Sequence, residues 1–439
     1  MRGAPWTATW AFVLVASMAI GEGVVAQEAD SLEIEELKQQ IEAITRQLEE
    51  LQLGRDVVAE ADTGLFGFGP GASKVYKVRQ GVSVGGYGEF LYEGFADERQ
   101  DGTPSGARDQ LDALRAIVYV GYKFNDRILF NSEIELEHSS TDQAGSVSLE
   151  FAYLDYRISH AVGVRAGLLL SPMGFVNEQH EPPTFLGTER PETEQRIIPS
   201  TWRENGVGVF GGVGPVAFRA YVLNGLDAIG GGPSKAGGFD ASGLRGGRQK
   251  GSKALAETFA GVARADYHDR GFTFGSSIYY GASGQNTPVD SDPSSTIGAE
   301  TLIWEGHTAY QAHGFDLRGL FALATVADAD LINEAKELEG SASVGERLVG
   351  WYVQGGYDVL RQARTGHQII PYVRFEQLNT QDRVPDGFTA DPANDQTIIS
   401  LGVAWKPILN MVVKADYQIR SNEASTGVNQ FNVAMGYLF

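Results

Sequence analysis

The chain of 439 residues contains no cysteine. Disulfides therefore cannot staple it, and a large exported fold must hold by its own core, by association, or by a closed hydrogen-bonded barrel. Positive charge is also short: 35 Lys and Arg stand against 56 Asp and Glu, a formal net charge of -21. Phosphate backbones need a basic surface, so nucleic acid is excluded as a partner. Past the N-terminal leader no apolar run reaches the roughly eighteen residues that a membrane-spanning helix needs. The 7 histidines are scattered. No Ser, His and carboxylate cluster can be assembled from neighbouring segments, which argues against an enzyme, and no cofactor or metal is expected.

What is present begins with Arg2, an apolar run from Ala8 to Ile20, and small residues at Val24 and Ala26. A basic start, an apolar stretch too short to span a bilayer and a V-x-A end predict a secretory signal peptide, residues 1–26, cut before Gln27. In residues 27–54, Ile34, Leu37, Ile41, Ile44, Leu48 and Leu51 alternate spacings of 3 and 4. That is the seam of a short α-helical coiled coil, expected on the periplasmic side. Ile and Leu mixed along it lean away from a strict dimer and are compatible with three strands, as in a homotrimer. So short a coil is marginal alone and associates once something else gathers the chains. Residues 55–80, with "GLFGFGPGASK", read as a linker.

From Gly81 to Phe439 the texture changes to short alternating runs. In "LDALRAIVYVGYKF", Leu114, Ala116, Val118, Val120, Tyr122 and Phe124 form one face, and Arg115, Tyr119 and Lys123 lie on the other. In "MVVKADYQIR", Val413, Ala415, Tyr417 and Ile419 oppose Lys414, Asp416, Gln418 and Arg420. Apolar on one side and charged on the other is how a strand looks with lipid outside and water inside. The connections sort by parity. Short turns near 125, 212, 268, 311 and 406 alternate with long loops near 94–109, 139–146, 171–203, 226–254, 284–296, 326–344 and 379–395. The fold predicted is all-β, an antiparallel transmembrane β-barrel over 81–439, of about sixteen strands with eighteen as the alternative. It belongs in the outer membrane of a bacterial cell, in contact with outer-membrane lipid. Its exterior loops are expected to be screened from the pore, Arg248 among them.

Between the fifth and sixth predicted strands lies "NEQHEPPTFLGTERPETEQRIIPSTWRENG", from Asn177, without any period of two or helical stripe. Structureless connections of this length are usually functional or disordered, and Trp202, Phe185, Ile197 and Ile198 argue against a solvated tail. A barrel of about sixteen strands has an aqueous interior for such a loop to enter. Residues 171–203 are therefore expected to form the constriction, stiffened by Pro182, Pro183, Pro191 and Pro199. Arg190, Arg196 and Arg203, mixed with Glu192, Glu194 and Glu204, would set the field there. Arg115, Arg165, Arg219, Arg264, Arg318 and Arg374 each fall on the charged face of a predicted strand, where a solute contact and a structural ion pair are equally open readings. His180 reads as a packing residue of the loop.

The end "FNVAMGYLF", finishing on Phe439, resembles the terminal strand recognised by the outer-membrane barrel-assembly machinery. The stretch "VGVRAGLLLSPMGF" through "WRENGVGVFG" resembles the phosphate- and pyrophosphate-selective porin family and its uncharacterised relatives. The elements are Arg165 and Gly167, Pro172 and Gly174, Arg190 and Pro191, then Trp202, Arg203, Glu204 and Gly206. The resemblance implies a trimeric porin passing small hydrophilic solutes, with phosphate or other anions preferred. It departs at the loop, where no Lys occurs between Ser171 and Gly206 and the net charge is acidic. A barrel hydrolase and a tether between outer membrane and cell wall are the alternatives.

Overall fold

Alternation of outward apolar and inward polar residues gives strands that cannot bury one face in water, and closing the sheet removes every edge. The computed structural model describes residues 64–139 and 145–439 and, before them, Gln39 alone. The predicted signal peptide and, apart from Gln39, the predicted coiled coil lie outside the described residues. The barrel strands are β1 (Gly81–Arg99), β2 (Gln110–Lys123), β3 (Ile128–Glu137), β4 (Ser146–Arg157), β5 (Val162–Leu170), β6 (Arg203–Val213), β7 (Val216–Asn224), β8 (Phe259–Asp269) and β9 (Phe272–Ala282). After a small hairpin of β10 (Pro288–Val289) and β11 (Asp292–Thr296) follow β12 (Glu300–Ala312), β13 (Phe315–Val326), β14 (Arg347–Tyr357), β15 (Gln368–Arg383), β16 (Asp395–Ile408), β17 (Met411–Asn422) and β18 (Val428–Leu438).

Sixteen strands form one closed antiparallel barrel, and β10 with β11 is a separate two-stranded sheet. The alternative of eighteen barrel strands is therefore ruled out. Closure is made by β1 against β18, with Tyr87 opposite Leu438 and Phe95 opposite Gln430. Phe439 extends that pairing, exchanging backbone hydrogen bonds with Gly86 at 3.0 and 2.9 Å.

Turn chemistry explains the parity of the connections. Arg270 and Gly271, and His313 and Gly314, all take positive φ, as two-residue hairpins require. These turns share one end of the barrel. At the other end the long loops carry β10, β11 and the helix Ala329–Ala335. The outer wall exposes Val118, Tyr122, Leu154, Val222, Phe274, Trp304, Val353, Tyr417 and Ile419. Arg165, Arg219, Glu305, Arg374, Lys414 and Asp416 are buried inside. This is the reverse of a water-soluble protein.

The linker expectation fails where that segment is described. Residues 64–80 were expected within a linker, yet Phe68, Ala72, Val75 and Val78 are buried, with a single helical turn at Lys74–Lys77. The segment packs inside the barrel against β2–β5. Its Phe and Tyr side chains have an aromatic wall to bury against, which local composition alone does not reveal.

Candidate functional site

The loop between β5 and β6 enters the barrel because the barrel wall supplies the polar partners that its backbone would otherwise lack. Its two feet are tied at one point. Asn177 Nδ2 donates to the carbonyls of Ser171 (2.7 Å) and Trp202 (2.9 Å), and Trp202 N donates back to Asn177 Oδ1 (2.8 Å). The Trp202 indole is fully buried, 4.8 Å from the ring of Tyr279 on β9. Beyond this knot the loop runs across the lumen. Arg219 on β7 meets Glu178 at 3.1 Å, and Arg264 on β8 donates to the carbonyl of Gly174. Arg318 on β13 donates to the carbonyl of Thr184 (2.8 Å), Lys406 on β16 to Pro183 (2.8 Å), and Lys414 on β17 to Gly187 (2.8 Å). Lys414 also lies 3.5 Å over the Phe185 ring. Asp416 accepts from both Thr188 N and Oγ1 at 2.8 Å, and Glu376 on β15 accepts from Thr193 N at 2.6 Å. Glu194 turns back into the loop's own fold, accepting from Val176 N (2.8 Å) and from Tyr352 on β14 (2.5 Å).

Two regions of the lumen stay polar and open to solvent. At the short-turn end a cavity of about 900 Å³ is lined by Arg219, Arg264, Arg318, Lys406, Asp266 and Asp316 among others. Toward the long loops stands a cluster of opposed charges. Arg420 on β17 meets Glu192 at 2.5 Å and Glu189 at 4.0 Å, and Arg196 meets Glu192 at 2.7 Å. Burial works against ionisation of Glu192, but Arg420 and Arg196 outweigh it and hold this carboxyl at about 2. Burial pushes Glu189 up to about 7, opposed by Arg420 and assisted by Glu192 and Glu93. Gln418 and Gln430 also face Glu189, donating at 2.9 and 2.5 Å.

With burial holding Glu189 up at about 7, the mouth gains negative charge as pH rises through that range. Reversal potentials in a salt gradient should move toward cation preference between pH 6 and 8, and Glu189→Gln should remove that movement. An unchanged pH dependence in the variant would place the titrating group elsewhere.

No family model matches the chain. An uncharacterized protein of Aquifex aeolicus (strain VF5) is 35% identical over 396 residues, which span 87% of this chain and 86% of that protein. The chain belongs to that protein's family. Among solved structures, Salmonella typhi OmpF in complex with daunomycin matches 82% of this chain and 98% of its own, with a TM-score of 0.54 and 13% identity. A loop L8 deletion mutant of OmpT, an outer membrane protein of Vibrio cholerae, matches 82% and 100%, with a TM-score of 0.51 and 12% identity. At such identity the likeness is one of fold, and the fold shared is a barrel of this kind.

Within this family member the residues singled out from sequence separate into two groups. Glu192 and Arg196 stand partly exposed at the mouth. Arg190, Glu194, Arg203 and Glu204 are buried. Arg203 pairs with Glu150 at 2.7 Å, while Glu204 accepts from Asn224 (2.7 Å) and Gln249 N (2.8 Å), fastening the next long loop to β6. The strand arginines do face the lumen, but each is committed to protein partners. Arg115 pairs with Glu89 (3.2 Å) and Glu135 (3.6 Å), and Arg165 with Asp155 (2.8 Å). Arg219 and Arg264 share Asp266, Arg318 pairs with Asp316, and Arg374 reaches the carbonyl of Glu189 at 3.3 Å. They are clamps on the loop and the wall. His180 packs as expected, between the Asn177 carbonyl (2.9 Å) and Glu133 (3.1 Å).

Arg248 overturns its expectation as an exterior loop residue. It is buried, and its guanidinium donates to Ser200 O and to Thr201 O and Oγ1. Loop 225–258 folds inward onto the constriction loop because these carbonyls need a donor. Arg420 and Glu189 belong to the charge cluster at the mouth, and sequence reasoning did not select them. Arg420 stood in plain view on the charged face of its strand; what was missing was its partner, Glu192, 228 residues away.

Proposed function

We propose that this protein is an outer-membrane channel of the porin type, through which small hydrophilic solutes diffuse passively. One observation carries the reading: a closed barrel, apolar outside, holds a long loop across its interior, with a charged cavity at the short-turn end and a partly exposed charge cluster toward the long loops. A chain that only tethers the membrane has no use for a loop fixed by so many wall residues. The likeness in fold to OmpF and to the Vibrio cholerae OmpT variant supports the same reading. So does the terminal aromatic Phe439, as a recognition element for barrel assembly. A homotrimer, with the N-terminal seam as its periplasmic stalk, belongs to this proposal.

A preference for phosphate, which the resemblance of the motifs implies, gains no support from the strand arginines, because their charges are spent on Asp155, Asp266, Asp316 and the loop carbonyls. The charges that stand partly exposed toward the route are Glu189, Glu192, Arg196 and Arg420, paired with one another. Opposed charges of this kind orient polar solutes across the route, whereas a ring of one sign selects ions. Reconstitution of the full chain into planar bilayers should give stepwise conductance. A correctly inserted, heat-modifiable barrel that gives no steps, with or without residues 64–78, would overturn the proposal.

A further inference from the structure

Residues 64–78 add no strand to the barrel, and the chain runs on from them into β1 at Gly81, whose φ of 97° makes a sharp corner. The segment nonetheless fits the wall closely. Phe68 stacks on Tyr153 with ring centroids 5.5 Å apart, and the Arg165 guanidinium lies 4.6 Å from the same Phe68 ring. The Tyr76 hydroxyl donates to Asp155 (2.6 Å) and accepts from Arg165 (2.8 Å). Asn131 donates to the carbonyl of Ala72 (2.9 Å), and Lys123 to that of Val78 (2.8 Å). Opposite Val75 the wall residue is Gly121, where any Cβ would come within 2.6 Å of the valine side chain.

One contact joins this segment to the constriction loop. Glu181, 1% exposed, accepts from Gly71 N at 3.0 and 3.2 Å and from Ala72 N at 3.0 Å, with the Tyr119 hydroxyl at 3.2 Å. No Lys or Arg pairs with it among the described residues. A buried carboxylate left without its donors is costly, so the resting place of this arm of the loop depends on the N-terminal segment being in position. The same segment fills the lumen beside β2–β5 at the short-turn end, where Lys123 and Val78 meet. It therefore stands in the route and also fixes the loop that narrows the route.

We propose that residues 64–78 are a movable stop in the pore: seated, the segment closes the β2–β5 side of the lumen and holds the constriction loop through Glu181; released, it widens both. The inference rests on the channel reading given above. Glu181 is a positioning residue in this scheme, acting on solutes only through the loop that it tethers.

The absence of native cysteine makes a direct test possible. An ideal Cβ on Gly121 lies 2.8 Å from the Val75 Cβ, so a small outward shift reaches the roughly 3.5–4.5 Å that a disulfide needs. The double variant Val75→Cys with Gly121→Cys should, when oxidised, show one narrow conductance level. On reduction it should also visit a wider level. Deleting residues 64–78 should fix the channel in that wider level, at least about twofold larger as the effective bore grows. Glu181→Gln should raise the frequency of wide openings without a disulfide. Equal conductance with and without the segment, or identical oxidised and reduced records in the Glu181→Gln background, would overturn the stop. If the deletion does not assemble, the oxidised and reduced comparison decides alone. Silence from every variant would instead count against the channel reading.

Discussion

Trp202→Ala should release the constriction loop while leaving the barrel closed. Emptying a fully buried tryptophan site typically costs about 3–5 kcal/mol, and here the loss falls on the loop's own seat. The indole packs on Tyr279, and its backbone is half of the Asn177 knot that joins the two feet. The strand ladder on either side does not depend on that contact, so heat-modifiable migration should persist. A shift of about 3 kcal/mol multiplies the released population by two orders of magnitude. Protease should then cut between residues 177 and 202 in the inserted protein, and conductance should become larger and noisier. Trp202→Phe should recover most of the protection, because the ring contact with Tyr279 survives. A loop as resistant in the alanine variant as in the parent would show that the wall clamps alone hold it.

Arg420→Glu should give the largest change in selectivity. In the parent, Arg420 neutralises Glu192 and lies 4.0 Å from Glu189. Its reversal gathers Glu189, Glu192 and the new carboxylate on one side of the route, leaving Arg196 as the nearest cation. For an ion passing about 8 Å away, two units of charge amount to about 1 kcal/mol even at the permittivity of water, roughly a fivefold change in permeability ratio. The apolar barrel wall confines the field and works against screening by salt. Reversal potentials should therefore move strongly toward cations, and the effect should shrink as ionic strength rises. Arg248→Glu is not a neutral control, since Arg248 supports Ser200 and Thr201. Arg364, exposed in the connection between β14 and β15, serves instead. Equal shifts from Arg420 and Arg364 would place the charge cluster outside the solute's path.

The barrel was legible because its signal is local. A period of two in stretches such as Met411–Arg420 needs no knowledge of distant residues, and turns such as His313–Gly314 mark the ends. The loop was legible by exception, as the one long apolar-containing stretch that fits neither period. The clamps were not, because their partners meet only after the register of the barrel is fixed. Thr188 and Asp416 lie 228 positions apart, as do Arg420 and Glu192. Residues 64–78 were misread for a related reason. Gly, Phe and Pro in "GLFGFGPGASK" have the composition of a connector, and only the aromatic wall of Phe151 and Tyr153 turns them into packed core. Arg248 failed likewise, since a glycine-rich loop gives no local sign of which carbonyls it will cover.

The N-terminal segment also couples its own docking to closure of the barrel. Its Gly71 faces Leu438 on the last strand, and its Lys74 stem lies against Gly85 beside the carbonyl of Phe439. The seam between β1 and β18 thus closes directly over residues that precede β1 in the chain. The first portion of the barrel region to be synthesised lies beneath the pairing of the first strand with the last. Either the segment is already in place when the final strand docks, or it is drawn in afterwards through the short-turn end while the seam is complete. Chains caught before closure would tell the two orders apart, with Gly71 and Lys74 already protected in the first and open in the second.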